Sequence, residues 1–499
     1  MSSKKGQAIS LGDFMIPVME LTSLLFAKGI EGVIMLISYS LERGFKYSGT
    51  QKITKVEKND FKKKKEVVDF DSIGYSLTKK REVKGIEIDK SKHSLVVGSS
   101  GSGKTCTLET LMFSDMRQGK SVVYIDPKAD NESLERFIDL CRLNNKEYLI
   151  FSEHYDKDGK ISINPVMEGS VNHIVDRVFK SFTWSEEFYA NKCQQALKKA
   201  IKSLKSKSSV VSLKSIYEEI IELCKSKEKD EKLNRSEIEG LITKLDNIVD
   251  SDFGAILHGD NAYSFSRLRD EGKCVYIGLS VLGYSETARA IERIILGDIA
   301  YSVYSTYRSI DPRSSSELKP LGLYIDELSA IISDEFIEIL NKCRGAKLEI
   351  TSAFQTSDDL NKINPNLCQQ VFENTLNWFV MKQRMDDAAK MISFAIGTNT
   401  GEKKTRRIDN DQEQGSGSIR DVEELIVHPN VIKDLDVGQC VLFRQQPTQI
   451  DAMNIKYINQ NIIDSNLEYF EYSNWIAERK LTRVSNSFKE TSKKEALNV

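Results

Sequence analysis

The chain has 499 residues, 40% hydrophobic and 29% charged, with a formal net charge of −2. That length points to two or three domains, and the composition is that of a soluble globular protein rather than a disordered or fibrous one. The balanced charge gives no global pull toward nucleic acid, and eight cysteines without a Cys-x-x-Cys pair give neither a zinc site nor a disulfide framework, which fits a reducing, cytoplasmic setting.

No signal-peptide pattern opens the chain. Leu21 to Leu41 is apolar enough to suggest a membrane helix but is interrupted by Lys28 and Glu31, and its longest uncharged run, Gly32 to Leu41, is about half of the roughly 20 residues that a spanning helix needs. Residues 1–45 are therefore expected to form a helical segment that lies on a membrane or packs against a membrane subunit. Residues 46–84 read as a basic linker. From Arg43 to Lys84 there are 13 basic and 6 acidic residues, an excess that attracts anionic lipid and that a solvated linker explains equally well.

From Gly85 an α/β pattern begins. Apolar runs at Ser94–Val97, Ser121–Ile125, Cys274–Gly278, Leu321–Ile325 and Leu348–Ala353 alternate with helical stretches, as in a parallel sheet covered on both faces. The first run leads into Gly98-Ser99-Ser100-Gly101-Ser102-Gly103-Lys104-Thr105 and then a helical pattern. Strand, glycine-rich loop and helix in that order form a phosphate-binding loop, whose backbone N–H groups curl around an anion at a helix N-terminus. Lys104 is expected to reach the β- and γ-phosphates of ATP, and the Thr105 hydroxyl to ligate Mg²⁺.

The alternation stops between Asn164-Pro165 and His258. Four amphipathic stripes follow one another there, on 171–182, 196–204, 213–224 and 238–248. Four such helices must bury their stripes against one another, so residues 166–258 read as an all-α domain inserted in a nucleotide-binding domain made of 85–165 and 259–455. From Phe188 to Tyr217 seven lysines occur with no acid, a face for nucleic-acid phosphates or simply for water.

Leu321-Gly-Leu-Tyr-Ile325 ends in Asp326-Glu327, a carboxylate pair where α/β sheets place ligand chemistry. Asp326 is the expected second magnesium ligand, and Glu327 the group that polarises the attacking water. Gln355 follows the next strand and is placed to sense the γ-phosphate. Arg344, eleven residues earlier, either projects toward a neighbouring subunit or is an ordinary surface arginine. Asp126-Pro-Lys128 closes the second strand. Gly401–Ser418 reads as a mobile loop, and 456–499 as a C-terminal extension ending in a disordered tail.

In order and spacing these motifs resemble those of the type IV secretion coupling proteins, the TraD-like ATPases of bacterial conjugation. The resemblance runs from His93–Thr105 through Tyr124–Asp130, Ile163-Asn-Pro165, Leu323–Glu327, Cys343-Arg-Gly345, Ala353-Phe-Gln355, Asn374 and Val427–Asn430 to Leu435–Gln439. It implies a RecA-like P-loop ATPase carrying an all-α domain and assembled as a homohexamer at the cytoplasmic face of the inner membrane. The implied work is to take a relaxase–DNA complex and move DNA, single-stranded and without sequence preference, to the secretion channel. It also implies Arg344 as a finger supplied in trans and Gln355 as a sensor. Two other readings stand beside it: an FtsK- or HerA-like ring translocase acting on chromosomal DNA, and a nucleotide-gated module that recruits protein substrates.

Overall fold

The computed structural model describes residues 55–62, 70–228, 232–259, 261–280, 285–309, 318–331, 333–361, 366–409, 412–461 and 463–464. The expected membrane-associated segment 1–45, much of the basic stretch before residue 70 and the tail beyond 464 lie outside the described residues.

The first two strands, β1 (Ser72–Ser76) and β2 (Arg81–Lys84), fall where charge reads as linker. They pair with each other, and β1 also pairs with the last described strand, so 72–84 is a strand pair of the sheet, not linker. Two apolar anchors suffice, one per strand: Ile73 on β1 and Val83 on β2 are buried, amid a composition dominated by lysine. Next come β3 (Ser94–Val97), α1 (Lys104–Arg117), β4 (Ser121–Asp126), α2 (Asn131–Leu143) and β5 (Tyr148–Phe151). Asp130 caps α2, its carboxylate accepting from the N–H groups of Glu132 and Ser133.

Four helices then follow without a named strand: α3 (Val171–Ser181), α4 (Glu187–Ser206), α5 (Leu213–Lys225) and α6 (Arg235–Val249). Their apolar stripes are buried, with Ile174 and Val178 on α3, Leu197 and Ile201 on α4, Ile216 and Ile220 on α5, and Leu241 and Leu245 on α6. Ser170 and Ser212 accept the orphan N–H groups at the starts of α3 and α5. Arg177 of α3 is tied to the rest of the chain by a buried ion pair with Asp298 at 3.0 Å.

The sheet resumes through α7 (Phe265–Glu271), β6 (Cys274–Gly278), α8 (Ser285–Ser309), β7 (Leu321–Ile325), α9 (Leu328–Ile331), α10 (Asp334–Lys342) and β8 (Leu348–Phe354). The remainder is α11 (Ser357–Asn361), α12 (Leu367–Asn374), β9 (Asn377–Val380), α13 (Asp386–Ile396), β10 (Thr398–Asp409), β11 (Gln412–Leu425), α14 (Pro429–Asp434), β12 (Gln439–Gln445) and β13 (Thr448–Ile455). Eleven strands make one sheet in the order β2-β1-β13-β12-β9-β3-β8-β7-β4-β6-β5. From β9 to β5 every pairing is parallel; from β9 outward through β12, β13, β1 and β2 every pairing is antiparallel. β3, β6, β7 and β8 are buried along their whole length, as strands with helices on both faces must be.

A second expectation also gives way. The Gly- and Ser-rich stretch 401–418 is not a loop but lies within the hairpin β10–β11, paired antiparallel from Thr398↔Leu425 to Asp409↔Gln412. Backbone pairing holds this hairpin, and it forms a two-stranded sheet of its own. Strand alternation is legible only where one face is buried, so a composition of Gly, Ser and charges hides it.

Candidate functional site

Because β3, β8, β7 and β4 run parallel, their carboxyl ends share one edge, and the residues that follow them form the candidate site. The loop between β3 and α1 needs glycine at two places for different reasons. A Cβ on Gly98 would come within 2.5 Å of Ser102 Oγ and 2.8 Å of Met381 Cβ, so no side chain fits. Gly103 has φ +102, which side-chain-bearing residues rarely adopt, and it opens α1. Ser99 N–H donates to Lys382 O at 2.8 Å, Ser102 N–H to Ser99 O at 3.2 Å, and Gly438 N–H to Ser102 O at 3.1 Å. Ser100 and Gly101 are exposed at the tip.

Lys104 is largely buried and folds back on its own loop, donating from Nζ to Gly98 O at 2.9 Å and Ser99 O at 3.5 Å. Burial lowers its pKa, a shift that Glu327 and Asp326 oppose. Thr105 Oγ1 donates to Asp326 Oδ2 at 2.9 Å across 221 residues of sequence. Asp326 is buried, and that burial raises its pKa; Lys128 Nζ, 3.9 Å away, and the Thr105 hydroxyl partly offset it.

Glu327 has φ +67, a left-handed conformation that costs a non-glycine residue on the order of 1 kcal/mol or more and clusters at functional sites. Its carboxylate is fixed from both sides. Ser329 Oγ donates to Oε1 at 2.7 Å and Gln355 Nε2 donates to Oε2 at 2.7 Å. Asp126, at the end of β4, is buried and accepts from Tyr276 OH at 2.8 Å and Lys128 N–H at 2.9 Å. It shapes the turn that carries Lys128 toward Asp326.

The phosphate loop, Asp326, Glu327 and Gln355 are thus brought together. Arg344 is not. It lies before β8, at the sheet's opposite edge, and β8 spans about 20 Å at roughly 3.3 Å per residue. There it is exposed and donates to Asn374 O at 3.0 Å. Any part it plays at a nucleotide must be at another copy's loop. The neighbouring His93 is buried at the foot of β3, its Nδ1 accepting from Ile350 N–H at 3.1 Å and its Nε2 3.6 Å from Cys343 Sγ. Burial, aided by Arg344, pushes its pKa down to about 3, so the ring is neutral.

One residue at the site escaped the sequence. Arg384 N–H donates to Ser99 Oγ at 3.1 Å and its Nη2 to Ser100 O at 3.4 Å, which puts a guanidinium on the exposed side of the loop. The signal was a cation four residues past β9, a strand that has no glycine-rich loop after it to mark it.

The donor set fits a magnesium–nucleotide. The cradle has no room for a Cβ at Gly98, and a hydroxyl and a buried carboxylate already face each other at the ion's expected seat. Among the described residues no cluster of three His, Cys, Asp or Glu could hold a metal alone.

Comparison with known proteins agrees. Residues 72–297 match the family described as the central domain of the helicase HerA, and residues 320–437 match the TraM recognition site of TraD and TraG. Among solved structures, an unbound form of the bacterial conjugative coupling protein TrwB superposes with a TM-score of 0.58 at 14% identity, covering 81% of this chain and 93% of that one. TrwB with ADP and Mg²⁺ gives 0.54 at 17% identity, again over 81% and 93%. At such identities these likenesses establish the fold alone, the one that the TrwB structures share. The type 4 coupling protein DotL of Legionella pneumophila is 37% identical over 59 residues, 12% of this chain and 8% of DotL. The likeness to type IV coupling proteins thus appears in the family match over residues 320–437, in the short segment shared with DotL and in the fold.

Proposed function

We propose that this chain is an ATP-driven coupling protein that moves DNA from a relaxase complex to a type IV secretion channel. The observation that carries the reading is the 2.9 Å contact between Thr105 Oγ1 and Asp326 Oδ2, with Glu327 next along the chain and clamped by Gln355. Thr105 and Asp326 would hold Mg²⁺, which supplies charge neutralisation at the β- and γ-phosphates. Lys104 exchanges its loop carbonyls for phosphate oxygens. Glu327 orients a water molecule and takes its proton on a carboxylate oxygen. Ser329 and Gln355 keep that carboxylate from turning away. Arg384 covers the open side of the loop.

The match to the TraM recognition site of TraD and TraG supports partners from the relaxosome and the channel. The exposed position of Arg344, outside its own site, supports a ring, a homohexamer in this reading, with each arginine serving the next subunit's nucleotide; a finger in trans contributes about 10³ to 10⁵ in rate. We place the ring at the cytoplasmic face of the inner membrane. Among the described residues no helix is long and apolar enough to cross a membrane. Attachment would then run through residues 1–45 or a membrane subunit.

A second reading is favoured by one observation, the match of residues 72–297 to the HerA central domain. It makes the chain a ring translocase on chromosomal duplex DNA. ATP turnover by the purified chain, alone and with single- or double-stranded DNA, separates the two. Stimulation by single strands, and conjugation restored by wild type but not by Lys104→Ala, supports the coupling reading. Stimulation by duplex alone with normal conjugation in a deletion strain overturns it.

A further inference from the structure

A cavity of about 150 Å³ lies away from the nucleotide site, between the end of α3, the second half of α6 and the first turns of α8. Lys244, Arg289 and Arg293 line it against a single acid, Glu286. Ion pairs are plentiful elsewhere in the chain, yet among the described residues none of these three cations has a carboxylate within 4 Å. Two of them are held in place by other means. Arg293 donates to Ser181 O at 3.3 Å, and Lys244 lies over the rings of Phe182 and Trp184 at 5.8 and 6.0 Å. Three cations gathered against one acid in the lining leave an excess of positive charge, and an anion in the cavity would relieve their repulsion.

We propose that this cavity seats a backbone phosphate of single-stranded DNA. The inference rests on the translocase reading above and gives that reading a contact point. An arginine fork suits a phosphate. Beyond Thr183, where the chain leaves the cavity, Phe188 and Tyr189 are 59% and 46% exposed, rings of the kind on which bases stack. Helix α8 starts at Ser285, a few residues past the carboxyl end of β6, the edge that carries the phosphate loop. A strand held here would touch an element that springs directly from the ATPase sheet.

The test uses the full chain, fluorescein-labelled oligothymidylate and anisotropy at several salt concentrations. Single strands lose about 0.7 from the slope of log K against log salt for each phosphate contact removed. Lys244→Ala/Arg289→Ala empties the seat of its one phosphate and is therefore expected to flatten the slope by about 0.7 and to weaken binding at least tenfold, with binding of a labelled ATP analogue unchanged and Arg289→Lys keeping the slope. If the double variant melts early, Arg289→Glu, at an exposed position, replaces it with the same expectation. An unchanged slope in a chain that binds DNA overturns the seat and leaves the translocase reading standing. A wild-type chain that binds no single strand at any salt overturns both. Loss of polyglutamate binding with DNA binding intact identifies an acidic peptide as the occupant and overturns the inference.

Discussion

Gln355→Ala tests how Glu327, the carboxylate proposed to take the proton from water, is held. Gln355 donates to Glu327 Oε2 at 2.7 Å while Ser329 donates to the other oxygen at the same distance. A hydrogen bond to a charged group contributes about 1.5–3 kcal/mol, which at about 1.36 kcal/mol per decade corresponds to about ten- to 150-fold in rate. Since Ser329 still restrains Oε1, the lower end applies, and turnover is expected to fall about tenfold with nucleotide Kd unchanged. The assay is steady-state ATP hydrolysis with single-stranded DNA, paired with titration of a fluorescent nucleotide. Because Gln355 is argued to act through Glu327, adding Gln355→Ala to Glu327→Gln should cost nothing further. A further tenfold loss in the double variant, or a Kd that weakens as much as turnover, would refute the reasoning and put Gln355 on the phosphate itself.

Other outcomes follow from the same geometry. Gly98→Ala places a methyl 2.5 Å from Ser102 Oγ and 2.8 Å from Met381 Cβ; overpacking of that kind costs about 1–3 kcal/mol, so nucleotide affinity should drop tenfold or more, and an unaltered Kd would contradict the tight cradle. Arg344→Ala should leave nucleotide binding intact and stop turnover in assembled rings, and retained turnover would remove the arginine from the mechanism. Glu292 is buried and accepts no hydrogen bond from the described residues, and burial raises its pKa well above the usual value, with Arg289 and Arg293 opposing. Above about pH 4.5 the unfolded chain has released that proton while the folded chain keeps it, so stability falls as pH rises through the raised value, by up to about 1.36 kcal/mol per unit. Glu292→Gln should lack this slope and gain on wild type in denaturant midpoint from pH 5 to pH 8, whereas parallel curves would disprove it.

The parts legible in sequence share a physical cause. β3, β6 and β7 are apolar throughout because helices cover both their faces, and their ends coincide with the apolar runs. The helical stripes between Val171 and Ile248 read clearly for the same reason: one face must be dry. The antiparallel wing did not read. β1 has one strong anchor in Ile73, β9 is only four residues long, and β10 and β11 carry no apolar alternation at all. At the candidate site, Asp326, Glu327 and Gln355 were legible as candidates because each follows a legible strand. Arg384 was hidden behind an illegible one, and the clamp on Glu327 depends on a Ser329 hydroxyl that no motif marks.

The phosphate loop is closed from far downstream. Gly438 N–H braces Ser102 O, Ile455 N–H binds Gly438 O, and Lys456 O accepts from Thr110 Oγ1, 346 residues away in sequence. On a ribosome making about 5–20 residues per second, Thr110 waits about 20 to 70 s for that partner. During this interval the glycine turn exists without its brace, and ATP has no finished pocket to rescue the nascent fold. A product terminated before about residue 455 should accordingly be nucleotide-blind despite an intact Gly98–Thr105, and cells would meet it as a client for chaperones rather than as an idle motor.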